Sequence, residues 1–175
     1  GKVARYDPKK NHLNLLLALS LLKIKKVEFL CLLIGSQINK NKKLLNAINK
    51  FKLNNNVKLL GPIDDISKVM NGLDILIQSS AYGEGFPNVV AEAMACGTPC
   101  IATNVGDAAY IIGKTGWIVS PKNPLKLAAT IENGLHQIGS KNWNKKCLQA
   151  RLRIKKNFNI YKMIASYDKL WRNSH

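Results

Sequence analysis

The chain has 175 residues, of which 46% are hydrophobic, so it is the size of one domain. A chain of this length buries roughly two-thirds of its unfolded surface, which excludes an intrinsically disordered protein and one that needs disulfides or a metal to fold. Its 27 Lys and Arg against 10 Asp and Glu give a net charge of +17, and its longest apolar run, residues 29–34, is too short for a membrane span of about 20 residues.

Apolar runs and helical periodicities alternate along the chain. In chain order we predict a strand at 2–6, a helix at 12–24, a strand at 27–34, a helix at 38–53, a strand at 57–60, a short helix from the cap Asp64 to residue 70, a strand at 73–77, a helix at 88–96, a strand at 99–105, a short helix at 107–112, a strand at 117–119, and helices at 124–138, 142–156 and 160–171. This alternation predicts an α/β protein with a three-layer, doubly wound parallel sheet of the Rossmann-like type.

Large apolar residues indicate which faces of these elements are buried. By their spacing we expect inward-facing side chains at Leu13, Leu16, Leu17 and Leu21 in the helix at 12–24, and at Leu44, Leu45, Ile48 and Phe51 in the helix at 38–53. We expect Trp117, Trp143 and Trp171 to lie in the core or in contacts between domains.

The positive charge is distributed unevenly. Lysine outnumbers arginine 23 to 4, and the cations concentrate in residues 40–58 and 141–172, whereas residues 69–113 contain none. Nucleic-acid recognition favours arginine, so we predict no nucleic-acid partner and interpret most of the lysines as a solvated surface. Peripheral contact of the basic flanks with an anionic membrane surface is the alternative that this pattern leaves open.

The four cysteines are at positions 31, 96, 100 and 147 and form no CxxC pair. In a chain with this much apolar sequence, the pattern predicts reduced thiols and a cytoplasmic setting rather than a disulfide framework. No second Cys or His pair accompanies Cys96 and Cys100, so we predict no metal site and expect Cys100 to be strand core.

The loop at 79–87 is where this fold would place a ligand, because ligands of open α/β sheets lie at the carboxyl ends of strands near the point where the strand order reverses. It contains two glycines and leads into the helix at 88–96, whose first N–H groups lack partners within the helix. We predict that the N–H groups available to a phosphate belong to Gly85, Phe86, Asn88 and Val89, whereas Pro87 has none.

Two acidic residues frame this loop. Glu84 precedes the predicted helix, and Glu92 lies one turn inside it. Because a carboxylate accepts two hydroxyl groups at once, two carboxylates beside a phosphate site suit a sugar or a ribose. The same spacing equally allows Glu84 to complement the helix dipole and Glu92 to be a surface residue.

The residues around the loop resemble a known family. Residues 83–99, GEGFPNVVAEAMACGTP, and residues 101–107, IATNVGD, are similar to the retaining glycosyltransferases of family 4, also called group 1. The hallmark of that family is a pair of glutamates with seven residues between them, here Glu84 and Glu92. The resemblance extends to Arg5 and Lys10. It implies a GT-B fold, in which two Rossmann-like domains face each other across a cleft.

The resemblance also implies a domain organisation. It covers the carboxyl-terminal, donor-binding domain of the family. We therefore expect residues 1–175 to form that one domain, with terminal helices at about 141–175. The amino-terminal acceptor domain would be missing from this chain, and the fragment alone would bind donor but barely turn over.

The family implies a role for each matching residue. Arg5 and Lys10 would stabilise the departing nucleotide diphosphate without a metal or another cofactor, and Glu84 would hold hydroxyls of the donor sugar, so these three are the catalytic candidates. Glu92 would accept the two ribose hydroxyls. The remaining donor-binding candidates contribute main-chain or apolar contacts and are Gly61, Gly85, Phe86, Pro87, Asn88 and Val89.

The implied activity is transfer of a sugar from a nucleotide diphosphate sugar to a glycan or a lipid-linked acceptor, in cell-surface polysaccharide biosynthesis. The implied place is the cytoplasm, including the inner face of the cell membrane. Two alternatives remain at this point: a GT-B epimerase or phosphorylase, and a basic nucleic-acid-binding module. The second would require basic residues at its site, and residues 69–113 have none.

Overall fold

A computed structural model describes residues 1–172 of the chain. The strands are β1 (Lys2–Val3), β2 (Cys31–Ile34), β3 (Val57–Leu60), β4 (Leu76–Gln78), β5 (Cys100–Thr103) and β6 (Trp117–Val119). The helices are α1 (His12–Ile24), α2 (Lys42–Lys50), α3 (Ile66–Asn71), α4 (Asn88–Ala95), α5 (Ala108–Ile112), α6 (Pro124–Gln137), α7 (Lys141–Asn157) and α8 (Ile160–Arg172), and a 3-10 helix, Pro8–Lys10, follows β1. Residues 173–175 of the predicted terminal helical region lie outside the described residues.

The strands pair in parallel in two groups of three, β1-β2-β3 and β4-β5-β6. Main-chain bonds at Gly1 connect the two groups: its nitrogen donates to the Ile75 carbonyl at 2.7 Å, and its carbonyl accepts from the Ile77 N–H at 2.8 Å. β1 therefore runs beside β4, and the strand order across the molecule is 3-2-1-4-5-6. In this doubly wound arrangement the order reverses between β1 and β4, which is the switch point at which ligands bind.

Helices cover both faces of the strands. One buried cluster contains Leu15 of α1, Leu44 of α2 and Leu127 of α6. The other contains Val90 of α4 and Ile111 of α5, together with α3 side chains. These three layers confirm the predicted α/β, Rossmann-like fold.

The inward faces of two helices differ from the prediction. In α1, Leu13 and Leu17 are 44% and 39% exposed, whereas Leu15 and Leu19 are buried. The prediction was wrong there because leucine occupies nearly every face of α1, so spacing alone could not select the buried one. In α2, Leu44 and Ile48 are buried as predicted, but Leu45 is largely exposed.

Element boundaries differ from the prediction where main-chain geometry changes. β1 ends at Val3, although the Ala4 N–H still donates to the carbonyl of Ile34, the last residue of β2, and the Tyr6 N–H to that of Ser36. The cap of α3 is Asp65 rather than Asp64, since the Asp65 carboxylate accepts from the Lys68 N–H at 3.2 Å. Two adjacent aspartates offered the same capping signal in the sequence.

The predicted aromatic and cysteine positions are partly confirmed. Cys100 is buried in β5, and Trp117 stacks on the buried Trp143 with ring centroids 6.5 Å apart. Trp171 is 74% exposed on α8, so it is not part of the core. Within residues 1–172, no helix combines the length and the apolar content that crossing a bilayer requires.

Candidate functional site

The chain leaves β1 and β4 on the same side of the sheet, and the two exits meet. After β1 it turns through the 3-10 helix Pro8–Lys10, which Asp7 caps by accepting from the Lys9 N–H at 2.9 Å. After β4 it enters the loop at 79–87. The Ala81 N–H of that loop donates to the Lys9 carbonyl at 2.7 Å, so the two segments form one surface at the switch point.

Lys10 and Glu84 form the central contact of this surface. The Lys10 Nζ lies 2.7 Å from the Glu84 Oε1, and the Ser80 hydroxyl donates to the same oxygen at 2.5 Å. The Glu84 side chain is 9% exposed and that of Lys10 is 29% exposed. Partial burial by itself raises the pKa of Glu84, but the hydrogen bonds from Lys10 and Ser80 outweigh it and hold the pKa below its ordinary value. Glu84 is therefore ionised at neutral pH, and within residues 1–172 its Oε2 accepts no hydrogen bond.

The loop is supported from the adjacent strand, β5. The Thr103 hydroxyl donates to the Ser80 carbonyl at 2.6 Å, and the Asp107 N–H donates to the Gly85 carbonyl at 2.9 Å. Gly106 has a φ of +58°, and a Cβ at this position would overlap the carbonyl oxygens of Glu84 and Gly85. Only glycine permits this approach, so the segment after β5 fixes the backbone beside Glu84.

Helix α4 begins directly after the loop. Pro87 is its N-cap and makes no side-chain capping bond, so the first N–H groups, those of Asn88 and Val89, have no capping side chain. Gly85, Phe86 and Asn88 are exposed, whereas Pro87 is buried. An uncapped helix start with exposed neighbours leaves N–H donors for an anionic group.

A cleft of about 1100 Å³ lies beside the start of α4. Phe86 and Asn88 line it on one side, and Tyr110, Phe158 and residues of α8 line the other. The Phe86 and Phe158 rings are 5.7 Å apart, so the cleft extends the exposed edge of the loop towards α8.

The remaining predicted site residues lie around this centre. Arg5 is well exposed and is paired with Asp7 at 3.3 Å rather than with Glu84. Glu92 is exposed on α4, and its side chain makes no hydrogen bond or ion pair within residues 1–172. Gly61 follows β3, the edge strand of its group, next to the Asn39 side chain.

The comparisons with known proteins assign the family. The family model described as "Glycosyl transferases group 1" matches residues 1–158. The chain belongs to this family. An uncharacterized glycosyltransferase of Methanocaldococcus jannaschii is 35% identical over 115 residues, which cover 62% of this chain and 31% of that protein.

Solved structures of the family share the fold. A glycosyltransferase from Rickettsia africae superposes with a TM-score of 0.87 and 29% identity, covering 98% of this chain and 46% of that one. HepE of Anabaena, solved in complex with UDP, gives a TM-score of 0.87 at 23% identity, with 99% and 48% coverage. A complex of HepE with UDP-glucose has also been solved. The chain spans less than a third of that curated relative and about half of these solved chains.

Sequence reasoning missed one member of the site, Lys2. Its side chain is 2% exposed and its Nζ donates to the Lys10 carbonyl at 2.8 Å and to the Ser79 hydroxyl at 3.0 Å. Burial, followed by the charge of Lys10, lowers the pKa of Lys2 to about 7. Lys2 is the first residue of the predicted strand at 2–6, and its sequence context does not set it apart from the other lysines.

His12 begins α1 and is buried, with its ring 5.7 Å from that of Tyr6. Burial and then the charge of Lys2 lower the pKa of His12 to about 3, so the ring is neutral.

Within the described range, no three His, Cys, Asp or Glu side chains come together as a group able to hold a metal ion. The expectation that binding needs no metal stays a prediction.

Proposed function

We propose that this chain is the donor-binding domain of a retaining glycosyltransferase of family 4. It binds a nucleotide diphosphate sugar, and the whole enzyme transfers the sugar to a glycan or a lipid-linked acceptor in cell-surface polysaccharide biosynthesis. The observation that carries the proposal is the Lys10–Glu84 pair, 2.7 Å apart at the switch point and immediately before the uncapped start of α4. A cation, a carboxylate and free N–H groups are the three partners that a phosphate-linked sugar requires.

In this proposal the diphosphate lies between Lys10, Arg5 and the N–H groups at the start of α4. When the bond between the anomeric carbon and the diphosphate breaks, its electron pair goes to the diphosphate, and the two cations stabilise the added charge. Arg5 is free to turn towards the ligand because its side chain is 69% exposed and its pair with Asp7 is a weak surface contact.

The two glutamates have separate roles in this proposal. Glu84 already accepts from Lys10 and Ser80 through Oε1, so Oε2 is the oxygen left for hydroxyls of the donor sugar. Glu92 is exposed and unpaired among the described residues, which suits an acceptor for the two ribose hydroxyls. The base would lie against the loop at Gly61.

Several parts of the proposal rest on the resemblance alone. These are the retaining outcome, the acceptor, the polysaccharide pathway and the cytoplasmic location. We propose that acceptor contacts come from an amino-terminal domain, since the chain spans about half of the similar solved chains. Contact of the basic helices α7 and α8 with an anionic membrane stays a prediction.

The test is a pair of calorimetric titrations on the Glu84→Gln variant, one with UDP and one with UDP-glucose. We expect sugar-nucleotide affinity to fall by about 1.5–3 kcal/mol, the range for a charged hydrogen bond. Affinity for UDP should be unchanged or higher, because Lys10 loses its carboxylate partner and becomes available to the phosphates.

Glu132→Gln is the matched control, since Glu132 forms a similar pair with Lys25 at 2.6 Å on α6. It should change neither affinity. A large and equal loss for both ligands in Glu84→Gln would place Glu84 at the nucleotide and contradict the assignment. Absence of binding by the wild-type chain to UDP, GDP, ADP and their glucose or mannose derivatives would overturn the proposed function itself.

A further inference from the structure

Four hydrogen bonds and the covalent link between Ser79 and Ser80 together form a closed ring behind the Lys10–Glu84 pair. The buried Lys2 is the innermost member of this ring. The Lys2 Nζ donates to the main-chain carbonyl of Lys10 at 2.8 Å and to the Ser79 hydroxyl at 3.0 Å. Lys10 donates to Glu84 at 2.7 Å, and Glu84 accepts from Ser80, the residue after Ser79. The ring joins β1, the 3-10 helix and the loop after β4 across the switch point.

The hydrogen bonds of Lys2 suit a group that changes protonation. A neutral lysine amine has two N–H donors, and the Lys10 carbonyl and the Ser79 hydroxyl use both. The ammonium form has three donors, and within residues 1–172 the Lys2 Nζ has these two hydrogen-bond partners and no third. Burial lowers the pKa of Lys2 to about 7, so both forms exist at neutral pH.

Other ionisable groups face Lys2 from each element packed around it, but they do not titrate near neutral pH. On α1, burial lowers the pKa of His12 to about 3, so this ring is neutral. On β2, burial raises the pKa of the Cys31 thiol, which stays protonated. On the loop, Glu84 is ionised.

Two further basic groups lie close to Lys2. Lys10 follows on the 3-10 helix, and its charge disfavours the ammonium form of Lys2. The Gly1 nitrogen directly precedes β1; burial lowers the pKa of this amino group, and it donates to the Ile75 carbonyl. A comparison of variants at position 2 keeps both groups and therefore isolates Lys2.

We propose that Lys2 is a positioning residue of the donor site, which holds Lys10 and the loop at 79–84 in register and takes up a proton when the diphosphate of a nucleotide sugar binds. This inference rests on the proposed function. Two negative charges next to Lys10 favour the ammonium form of a buried neighbour. They also offset the charge of Lys10, which disfavours that form in the free protein.

The direction of the pH dependence follows from the lowered pKa. Well below pH 7, Lys2 is already protonated in the free chain, so binding takes up no proton there. At about pH 7.5, more than half of the Lys2 side chains are neutral, and binding should draw a proton onto them. Proton uptake should therefore rise from pH 6 to pH 7.5.

The experiment is calorimetry with UDP-glucose at pH 6 and pH 7.5, each in buffers of different protonation enthalpy. The two phosphates of this probe are esterified and do not titrate near neutrality, so any uptake belongs to the protein. We expect an uptake of up to one proton at pH 7.5 and none at pH 6. Lys2→Met should abolish the uptake and weaken binding about tenfold, as expected for a lost unit charge within the site.

Lys58→Met is the matched control, because Lys58 is an exposed lysine on another strand, β3. It should retain both the affinity and the uptake. Ser79→Ala keeps the Lys2 charge and removes the hydroxyl that accepts from Lys2 and donates to the Lys10 or Asn11 carbonyl. It should retain the uptake and lose about two- to fivefold in affinity, as expected for one neutral hydrogen bond. If Lys2→Met does not fold, the pH dependence of the uptake in the wild type decides the question.

The outcomes separate the two proposals. Binding without proton uptake in the wild type, or uptake that persists in Lys2→Met, overturns the role of Lys2 and leaves the donor site in place. If Lys2→Met does not fold, an uptake that is equal at pH 6 and pH 7.5 overturns that role. Failure of UDP-glucose, GDP-mannose and ADP-glucose to bind the wild-type chain overturns the proposed function and this inference together.

Discussion

Glu84 and Lys10 are paired before any ligand arrives, and their exposures differ. The glutamate side chain is 9% exposed and the lysine side chain 29% exposed. The Glu84 carboxylate is thus held by two hydrogen-bond donors and is nearly buried, whereas the Lys10 ammonium group is partly exposed to solvent. A phosphate that approaches Lys10 therefore competes with the Glu84 carboxylate for the same ammonium group, which is why loss of that carboxylate should not weaken UDP binding.

Glu92 allows a sharp test of the ribose assignment. Glu92→Gln keeps one acceptor oxygen but loses the charge and half of a two-hydroxyl contact. Affinity for UDP should fall by about 1.5–3 kcal/mol, and the loss should be much smaller for 2′,3′-dideoxy-UDP, which has no ribose hydroxyls. Calorimetry with the two nucleotides measures the difference.

Glu132→Gln serves again as the control for removing a negative charge from a helix, here α6. Equal losses with UDP and its dideoxy analogue in Glu92→Gln would assign Glu92 to the fold or to the dipole of α4 instead. Because the Glu92 side chain has no hydrogen-bond partner among residues 1–172, we expect unfolding by urea to be almost unchanged.

At the scale of the elements, the site depends on direct main-chain contact between the loop after β4 and the loop after β5. Gly106 lies against the carbonyls of Glu84 and Gly85, and the neighbouring Asp107 N–H donates to the Gly85 carbonyl at 2.9 Å. The loop after β5 therefore fixes the position of the main chain at Glu84.

Gly106→Ala should displace this loop and weaken UDP-glucose binding. Gly139→Ala is the matched control: Gly139 also has a positive φ, +81°, but a Cβ there meets nothing within 4 Å. Both variants share the backbone strain of about 1–2 kcal/mol. The overlap should cost Gly106→Ala a further 1–3 kcal/mol or so in urea unfolding. Equal unfolding energies and equal UDP-glucose affinities for the two variants would show that the two loops are not coupled.

The element order was predictable from the sequence, while several details were not. Apolar runs such as residues 27–34 favour buried strands, and their alternation with helices leads to a parallel sheet. The buried face of α1 was not predictable, because Leu13 and Leu15 look alike in a helix with leucine on nearly every side. The cap of α3 was not either, since Asp64 and Asp65 carry the same signal.

In the candidate site, too, some features were predictable from the sequence and others were not. The loop with Glu84 and the start of α4 could be located from glycines, acids and helix periodicity. The Lys10–Glu84 contact joins residues 74 positions apart, which only the parallel order of β1 and β4 brings together. Lys2 could not be assigned to the site, because a lysine in a basic chain is usually solvated. One of its two partners, the Ser79 hydroxyl, is 77 residues away in the sequence.

At the scale of the whole molecule, net charge and site charge are separate features. The chain has a net charge of +17, yet residues 69–113, which include the loop and α4, contain no Lys or Arg. The positive groups at the site include Lys2, Lys10, Arg5 and the start of α4. The chain also spans 46% and 48% of two similar solved chains, so ligand binding rather than turnover is the property to measure.

We propose that these groups bind a nucleoside diphosphate without a divalent metal. Calorimetry of the wild-type chain with UDP in excess EDTA tests this directly. We expect binding to persist in EDTA, to weaken strongly in Lys10→Met, and to be unchanged in the exposed control Lys58→Met. Binding that disappears with EDTA and returns with magnesium or manganese would contradict metal-independent binding by this site.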